Sequence, residues 1–305
     1  MAIAPFNRQD SHALFAVFDG HGTNGRQAAR ECMDRLPKYL VSASYAADPA
    51  SAFRHACQRL QRALAVGSGD VYARSGKTLC AALLVGHRLT IANVGDSRCL
   101  RISRQLKAAS GTQKNSSRSS GDGVCDATVP ERRRLGKGTV ENGVESGGAS
   151  ERRLVVERLS RDHKPECEGE LERIRAAGGK VVPLPDRGLV GGGGSGPCRR
   201  ARAECAALRP EKGRVYRDEA VARDYGEAVQ RVWRADGHGP GLAMSRSLGD
   251  RIAHTVGVTH EPEIAEVELN PSVDVMLVIA SDGVWDVLSS EAIRKVGAPL
   301  LRYLY

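Results

Sequence analysis

The chain has 305 residues, enough for one large domain or two small ones, and 41% of it is hydrophobic, so a core is available. Its formal net charge is +9, but much of this sits in stretches such as Arg132-Arg133-Arg134 and Arg199-Arg200, which read as solvated charge, and a nucleic-acid partner is not expected. No apolar run approaches 18 residues, the N-terminal MAIAPFNRQD has no signal core, and the eight scattered cysteines show neither a CxxC pair nor zinc spacing, which argues against a membrane span, a leader and a zinc module.

Residues 14–18 read as a buried strand that stops at Asp19-Gly20-His21-Gly22. Helices are expected over 25–40 and 49–66, where Ala28, Cys32, Leu36 and Leu40, then Phe53, Cys57, Leu60 and Leu64, recur at helical spacing. With 4% aromatics, the core must be filled by Val, Ile, Leu and Ala. Strands follow near 78–85, 88–94 and 98–102, with turns at Gly86-His87-Arg88 and Gly95-Asp96. Residues 103–151 are rich in Ser, Gly, Lys and Arg and read as a disordered insertion.

Order resumes at 154–159, with a helix over 166–177 that stops at Gly178-Gly179 and a short strand at 180–182. A second insertion, Gly-rich and basic, is expected over 187–230. The chain then reads GLAMSRSLGD at 241–250, strands near 263–268 and 273–280, and a helix capped by Ser289 or Ser290. Helix pairs between hairpin-type strands favour a layered α+β domain over a doubly wound parallel fold.

Two acidic segments more than 260 residues apart stand out: Asp19-Gly20 after LFAVF, and Asp282-Gly283 with Asp286 after VMLVIA. A strand that stops at Asp-Gly delivers one carboxylate to a sheet end, and two such ends side by side would offer hard oxygen ligands suited to Mg²⁺ or Mn²⁺. Two motifs are set aside. Gly76-Lys77-Thr78 looks like the tail of a phosphate-binding loop but leads into a strand, and Gly191-x-Gly193-x-x-Gly196 lies in a glycine tract with no strand before it.

In order, FDGHG (18–22), ANVGDSR (92–98), LSRDHKP (159–165), ERIRAAGGKV (172–181), GLAMSRSLGD (241–250), EPEI (261–264) and ASDGVWDVLS (280–289) resemble the metal-dependent Ser/Thr protein phosphatases of the PPM (type 2C) family. The resemblance implies a four-layer αββα sandwich of two antiparallel sheets flanked by helix pairs. It also implies hydrolysis of phosphoserine and phosphothreonine in proteins at a binuclear Mn²⁺/Mg²⁺ centre. By that resemblance Asp19 bridges the two metals, the Gly20 carbonyl and Asp282 are further ligands, and His21 is the general acid. Asp96 is a ligand of a weaker third metal, and Asp286 is its neighbour. Arg98 and Arg246 read as structural ion-pair residues.

The sequence departs from the family pattern at both ends. The family has a phosphate-binding Arg and an acidic ligand before the first Asp-Gly, and an Asp-Asn ligand motif beyond the helix that opens at residue 290. The expectation is a single phosphatase domain over 1–305, truncated at both ends. The alternative is a catalytically impaired pseudophosphatase that binds phosphoproteins. A basic nucleic-acid-binding protein is the third reading, and it would need the two insertions. A monomer in the cytoplasm or nucleus is expected.

Overall fold

A computed structural model of the protein describes residues 1–41, 44–66, 70–105, 154–183 and 229–300. The expected insertions lie almost wholly outside these residues. Chain order is β1 (Ala2–Ile3), β2 (His12–Val17), β3 (Gly20–His21), α1 (Gly25–Val41), α2 (Pro49–Val66), β4 (Gly76–Lys77), β5 (Leu79–Val85), β6 (Arg88–Val94) and β7 (Arg98–Arg104). After the first long connection come β8 (Leu154–Arg158), α3 (Glu168–Ala176) and β9 (Gly179–Pro183). After the second come β10 (Gln230–Arg234), β11 (Pro240–Leu242), β12 (Leu248–Gly249), α4 (Arg251–His254), β13 (Glu263–Glu268), β14 (Asp274–Ala280), α5 (Asp282–Trp285) and α6 (Ser290–Leu300).

The strands form a five-stranded sheet in the order β1-β2-β5-β6-β13, with every pairing antiparallel. A second antiparallel sheet runs β14-β7-β8. The mixed α+β expectation therefore holds. A third sheet, β11-β10-β9, and a small one, β12-β4-β3, also form. The small sheet is built from two-residue strands, too short to carry a period of two in the sequence.

Alternation along β5 explains its continuous apolar run. Leu79, Ala81 and Leu83 face α1 and α2, where they join Leu36, Leu40, Phe53 and Leu60. Cys80 and Ala82 face the other way, with Leu89, Ile91 and Cys99, and Leu277 and Ile279 of β14 pack against them. A strand buried on both faces has no polar side to display. Each fully buried Leu or Phe in these layers stabilises by roughly 1.5–3 kcal/mol. Cys32, Cys57, Cys80 and Cys99 are free and buried, acting as small core residues.

The expected edges of the insertions shift slightly. β7 runs on to Arg104, because Ser103 Oγ donates to Asp274 Oδ1 (2.6 Å) and Arg104 N–H to Val273 O (2.7 Å). β10 begins at Gln230, paired with Pro183. Helix α6 starts where Ser289 Oγ accepts from Ala292 N–H (3.1 Å). Among the described residues, α3 has its main contacts with β9 rather than with a helix. It packs beside β9 in a separate core of Ile174, Val232, Met244 and Val256. Among the described residues no helix is long and apolar enough to cross a membrane.

One core residue contradicts the pattern. Lys77 is fully buried, and among the described residues its Nζ meets no oxygen partner, only the Cys32 thiol. The ammonium lies 4.3 Å from the Phe18 ring centroid, between Cys32 of α1 and Cys57 of α2. Burial pushes it below the ordinary lysine value of 10.5, although both thiols pull the other way. The unfolded chain then binds this proton more tightly, so the contribution of Lys77 to folding stability improves as pH rises towards 10.5 and worsens as pH drops. Replacing Lys77 by Met should stabilise the fold at pH 7 by on the order of 2 kcal/mol. Urea denaturation at pH 7 and at pH 10 checks this: the stability gain of Lys77→Met over the wild type should be smaller at the higher pH, a comparison in which the titration of the buried cysteines common to both chains cancels.

Candidate metal and phosphate site

Asp19 follows β2, and its backbone is fixed from the neighbouring strand. The Asp19 N–H donates to Thr78 Oγ1 (3.2 Å), and the Thr78 N–H donates to Asp19 O (2.8 Å). Thr78 Oγ1 also shares a 2.7 Å hydrogen bond with Ser97 Oγ, and both side chains are buried. One hydroxyl therefore ties the end of β2 to the turn that carries Asp96. That turn is made by Gly95 at φ +106°, a conformation that a side chain rarely adopts.

The LSRDHKP segment locks the same turn. His163 N–H donates to Gly95 O (3.0 Å), and Gly95 N–H donates to His163 Nδ1 (3.1 Å). His163 Nδ1 is thus an acceptor, which leaves Nε2–H to donate to Glu263 Oε2 (3.3 Å). Next along the chain, Lys164 Nζ reaches Asp96 Oδ2 at 2.6 Å.

Asp282 opens α5, two residues beyond the end of β14. The Asp19 and Asp282 carboxyl groups share a hydrogen bond. Burial, that hydrogen bond, and the charges of Asp282 and Asp96 push Asp19 up to about 7, with His21 pulling the other way. Burial first, then Asp282, also raises Asp286, which is exposed at the rim. The structure thus gathers Asp19, Asp96, Asp282 and Asp286 into one electrostatic neighbourhood. Two carboxylates in contact need a proton or a cation between them.

His21 lies in β3, a quarter exposed, with Nε2 2.5 Å from Asp250 Oδ2. Burial pulls its imidazole down, but the charge and hydrogen bond of Asp250, then Asp96 and Asp19, outweigh this and hold it above the ordinary histidine value. Asp250 is 2% exposed and sits in the left-handed region (φ 43°, ψ 47°) at the start of α4. Its side chain makes no cap to α4, which leaves it to serve His21. Gly76 makes room for it: a Cβ there would lie 2.1 Å from Asp250 Oδ2. Gly20 stands in β3 against the start of α1, where a Cβ would lie 2.3 Å from Gly25 O.

Sequence reasoning did not give Asp250, Lys164, His163 or Thr78 a role, although each lies in or beside a motif it singled out. Arg98 and Arg246 are ion-pair residues as expected. Arg98 forks onto Asp162 (3.1 and 2.6 Å) and lies 5.2 Å from the Trp285 ring. Arg246, Arg173 and Ser245 all donate to Glu170, at 2.6, 2.6 and 2.5 Å. Burial alone would raise Glu170, but these hydrogen bonds hold it far below the carboxylate range.

The donor chemistry fits a hard divalent cation. Asp19 and Asp282 are already in contact, and among the described residues buried Asp96 Oδ1 has no hydrogen-bond partner. Among the described residues, no three His, Cys, Asp or Glu side chains form a ready-made ligand group.

The sequence profile described as "Protein phosphatase 2C" matches residues 2–119, 146–192 and 206–296, well over half of the chain. The chain belongs to the protein phosphatase 2C family. "Probable protein phosphatase 2C 64" of Oryza sativa subsp. japonica is 30% identical over 302 residues, spanning 96% of this chain and 51% of the relative. "Probable protein phosphatase 2C 35" of Arabidopsis thaliana is 27% identical over 281 residues, spanning 92% of this chain and 61% of the relative. The chain thus spans between half and two thirds of the length of these relatives. Among solved structures, a serine-threonine phosphatase 2C from Toxoplasma gondii aligns with TM-score 0.59 at 17% identity, covering 94% of this chain and 72% of that one. A C. elegans sex determining protein aligns with TM-score 0.54 at 18% identity, covering 94% and 47%. These structural likenesses show the fold.

The Thr78 hydroxyl gives a direct test of how Asp19 is held. Thr78→Val should cost ~1–2 kcal/mol by orphaning the Asp19 N–H and the Ser97 hydroxyl, while Thr78→Ser keeps most of the stability. Urea midpoints of the two variants, compared at one pH, read the difference.

Proposed function

We propose that the chain carries the catalytic site of a protein serine/threonine phosphatase, which hydrolyses phosphoserine and phosphothreonine with a metal-activated water. The observation that carries this reading is the convergence of Asp19, Asp96 and Asp282, from three distant segments, beside a histidine held by a buried aspartate. Family membership supports the same chemistry. Asp19 and Asp282, with the Gly20 carbonyl, would hold two Mn²⁺ or Mg²⁺ ions, and Asp96 with Asp286 a weaker third. When bound, such ions neutralise the phosphate dianion and lower the pKa of a water towards neutrality.

This chain's own residues supply the remaining steps. Asp250 holds His21 Nε2, so the imidazole keeps its proton and Nδ1 is the nitrogen free to protonate the departing Ser or Thr alkoxide. Asp250 also fixes the ring against rotation, and the Thr78–Ser97 hydroxyl pair fixes the backbone that carries Asp19. The substrates are phosphoproteins. The free cysteines Cys32, Cys57, Cys80 and Cys99 support a reducing compartment, cytoplasmic or nuclear.

One observation favours a second reading, a phosphoprotein-binding module without turnover: no three-ligand group stands ready among the described residues. It predicts phosphopeptide binding with no release of phosphate.

Phosphate release from a phosphothreonine peptide separates the two. With Mn²⁺ the chain should turn over, EDTA should stop it, and Asp19→Asn should be inactive. His21→Gln should lower kcat by ~10²–10⁴-fold, and Asp250→Asn by ~10–10²-fold with KM little changed. Release that persists in EDTA or in Asp19→Asn would sink the proposal.

A further inference from the structure

Lys164 sits inside the carboxylate cluster, its Nζ 2.6 Å from Asp96 Oδ2. The lysine side chain is 34% exposed and the aspartate 3%. The second oxygen, Asp96 Oδ1, is buried without a hydrogen-bond partner among the described residues. A buried carboxylate oxygen with no donor is costly, so the cluster has one strong acceptor still to be satisfied.

The lysine is placed by its loop rather than by a wandering surface chain. His163, the residue before it, is hydrogen-bonded to Gly95 in both directions, and Ser245 N–H donates to His163 O at 2.8 Å. Cys167 N–H closes the loop on Lys164 O at 3.2 Å. Asp162, two residues earlier, already has Arg98 and Arg158 as ion partners. The Lys164 charge is directed chiefly at Asp96, and it also acts on Asp162, Asp282 and Asp286.

We infer that Lys164 is a tethered cation of this cluster: it holds Asp96 in place before a divalent ion binds, and it competes with that ion for the Asp96 carboxylate. The inference rests on the metal-dependent reading of the site but concerns binding alone. A fixed ammonium satisfies one oxygen and leaves the other open, so the carboxylates stay assembled without metal. A divalent ion that takes Asp96 must displace or share the ammonium. Lys164 thereby sets how readily Asp96 is occupied, acting through Asp96 as a positioning residue.

Two measurements test it without reference to turnover. The first counts bound Mn²⁺ by electron paramagnetic resonance of the free ion. Lys164→Met should tighten the weakest Mn²⁺ site by at least ~10-fold, and the gain should vanish in the Lys164→Met/Asp96→Asn double variant. The second uses the wild-type chain and needs no variant to fold. Acetylation of Lys164 by an N-hydroxysuccinimide ester, read by peptide mass spectrometry, should rise several-fold as Mn²⁺ saturates the protein, while Lys180 labelling stays constant. Unchanged or tighter protection of Lys164 with Mn²⁺ bound overturns the competition. So does Mn²⁺ affinity in Lys164→Met no better than in the wild type, including the case in which neither binds. Failure of the phosphatase reading would show separately, as Mn²⁺ bound with the expected Lys164 response but no phosphate released.

Discussion

Like charges brought into contact repel, and this chain brings four aspartates together. At an effective dielectric near 20, two unit charges 4 Å apart repel by ~4 kcal/mol, so the surrounding fold has to oppose that force continuously. It does so through the ladder of β2, β5 and β6, which puts the end of one strand beside the turn of another. The Thr78 hydroxyl then joins the two ends, and β14 arrives across β7 to deliver the third segment, with Asp282 and Asp286. Positive groups finish the balance: Lys164 on Asp96, and Arg98 and Arg158 on Asp162. The core layers described above are what give these pairings the rigidity to hold the charges still.

Much of this was legible in the sequence because apolar runs that stop at Asp-Gly mark strand ends. The positions of Asp19 and Asp282 follow from that rule, Asp96 stands in the Gly95-Asp96 turn after β6, and the helical spacing of Ala28, Cys32, Leu36 and Leu40 predicts the buried face of α1. What was hidden depends on contacts across the chain. Asp250 meets His21 across 229 residues and stands in a left-handed conformation that no local pattern announces. Lys164 and His163 were visible within a motif, but their partners at Gly95 and Asp96 lie 68 residues away. The two-residue strands β3, β4 and β12 carry no periodicity, so the small sheet that carries His21 could not be read in advance.

The Gly76-Lys77-Thr78 segment shows how a rejected motif can still matter. It holds no phosphate loop. Instead each residue has a different structural duty: Gly76 admits the Asp250 carboxylate, Lys77 is buried among Phe18, Cys32 and Cys57, and Thr78 fixes Asp19. Glycine is there for want of space. The lysine is there at a cost to stability that the dense aliphatic core around it offsets.

The two long connections leave the fold at paired strand ends. Arg104 faces Leu154 across β7 and β8, and Pro183 faces Gln230 across β9 and β10. Each pair is already closed by its own ladder, so the cost of the chain between grows only with the logarithm of its length. The clustered carboxylates therefore place little restriction on what is carried there. The two hairpin mouths are natural ports, where a lineage or an engineer could exchange one spacer for another, or splice in an entire folded module, without re-tuning the chemistry.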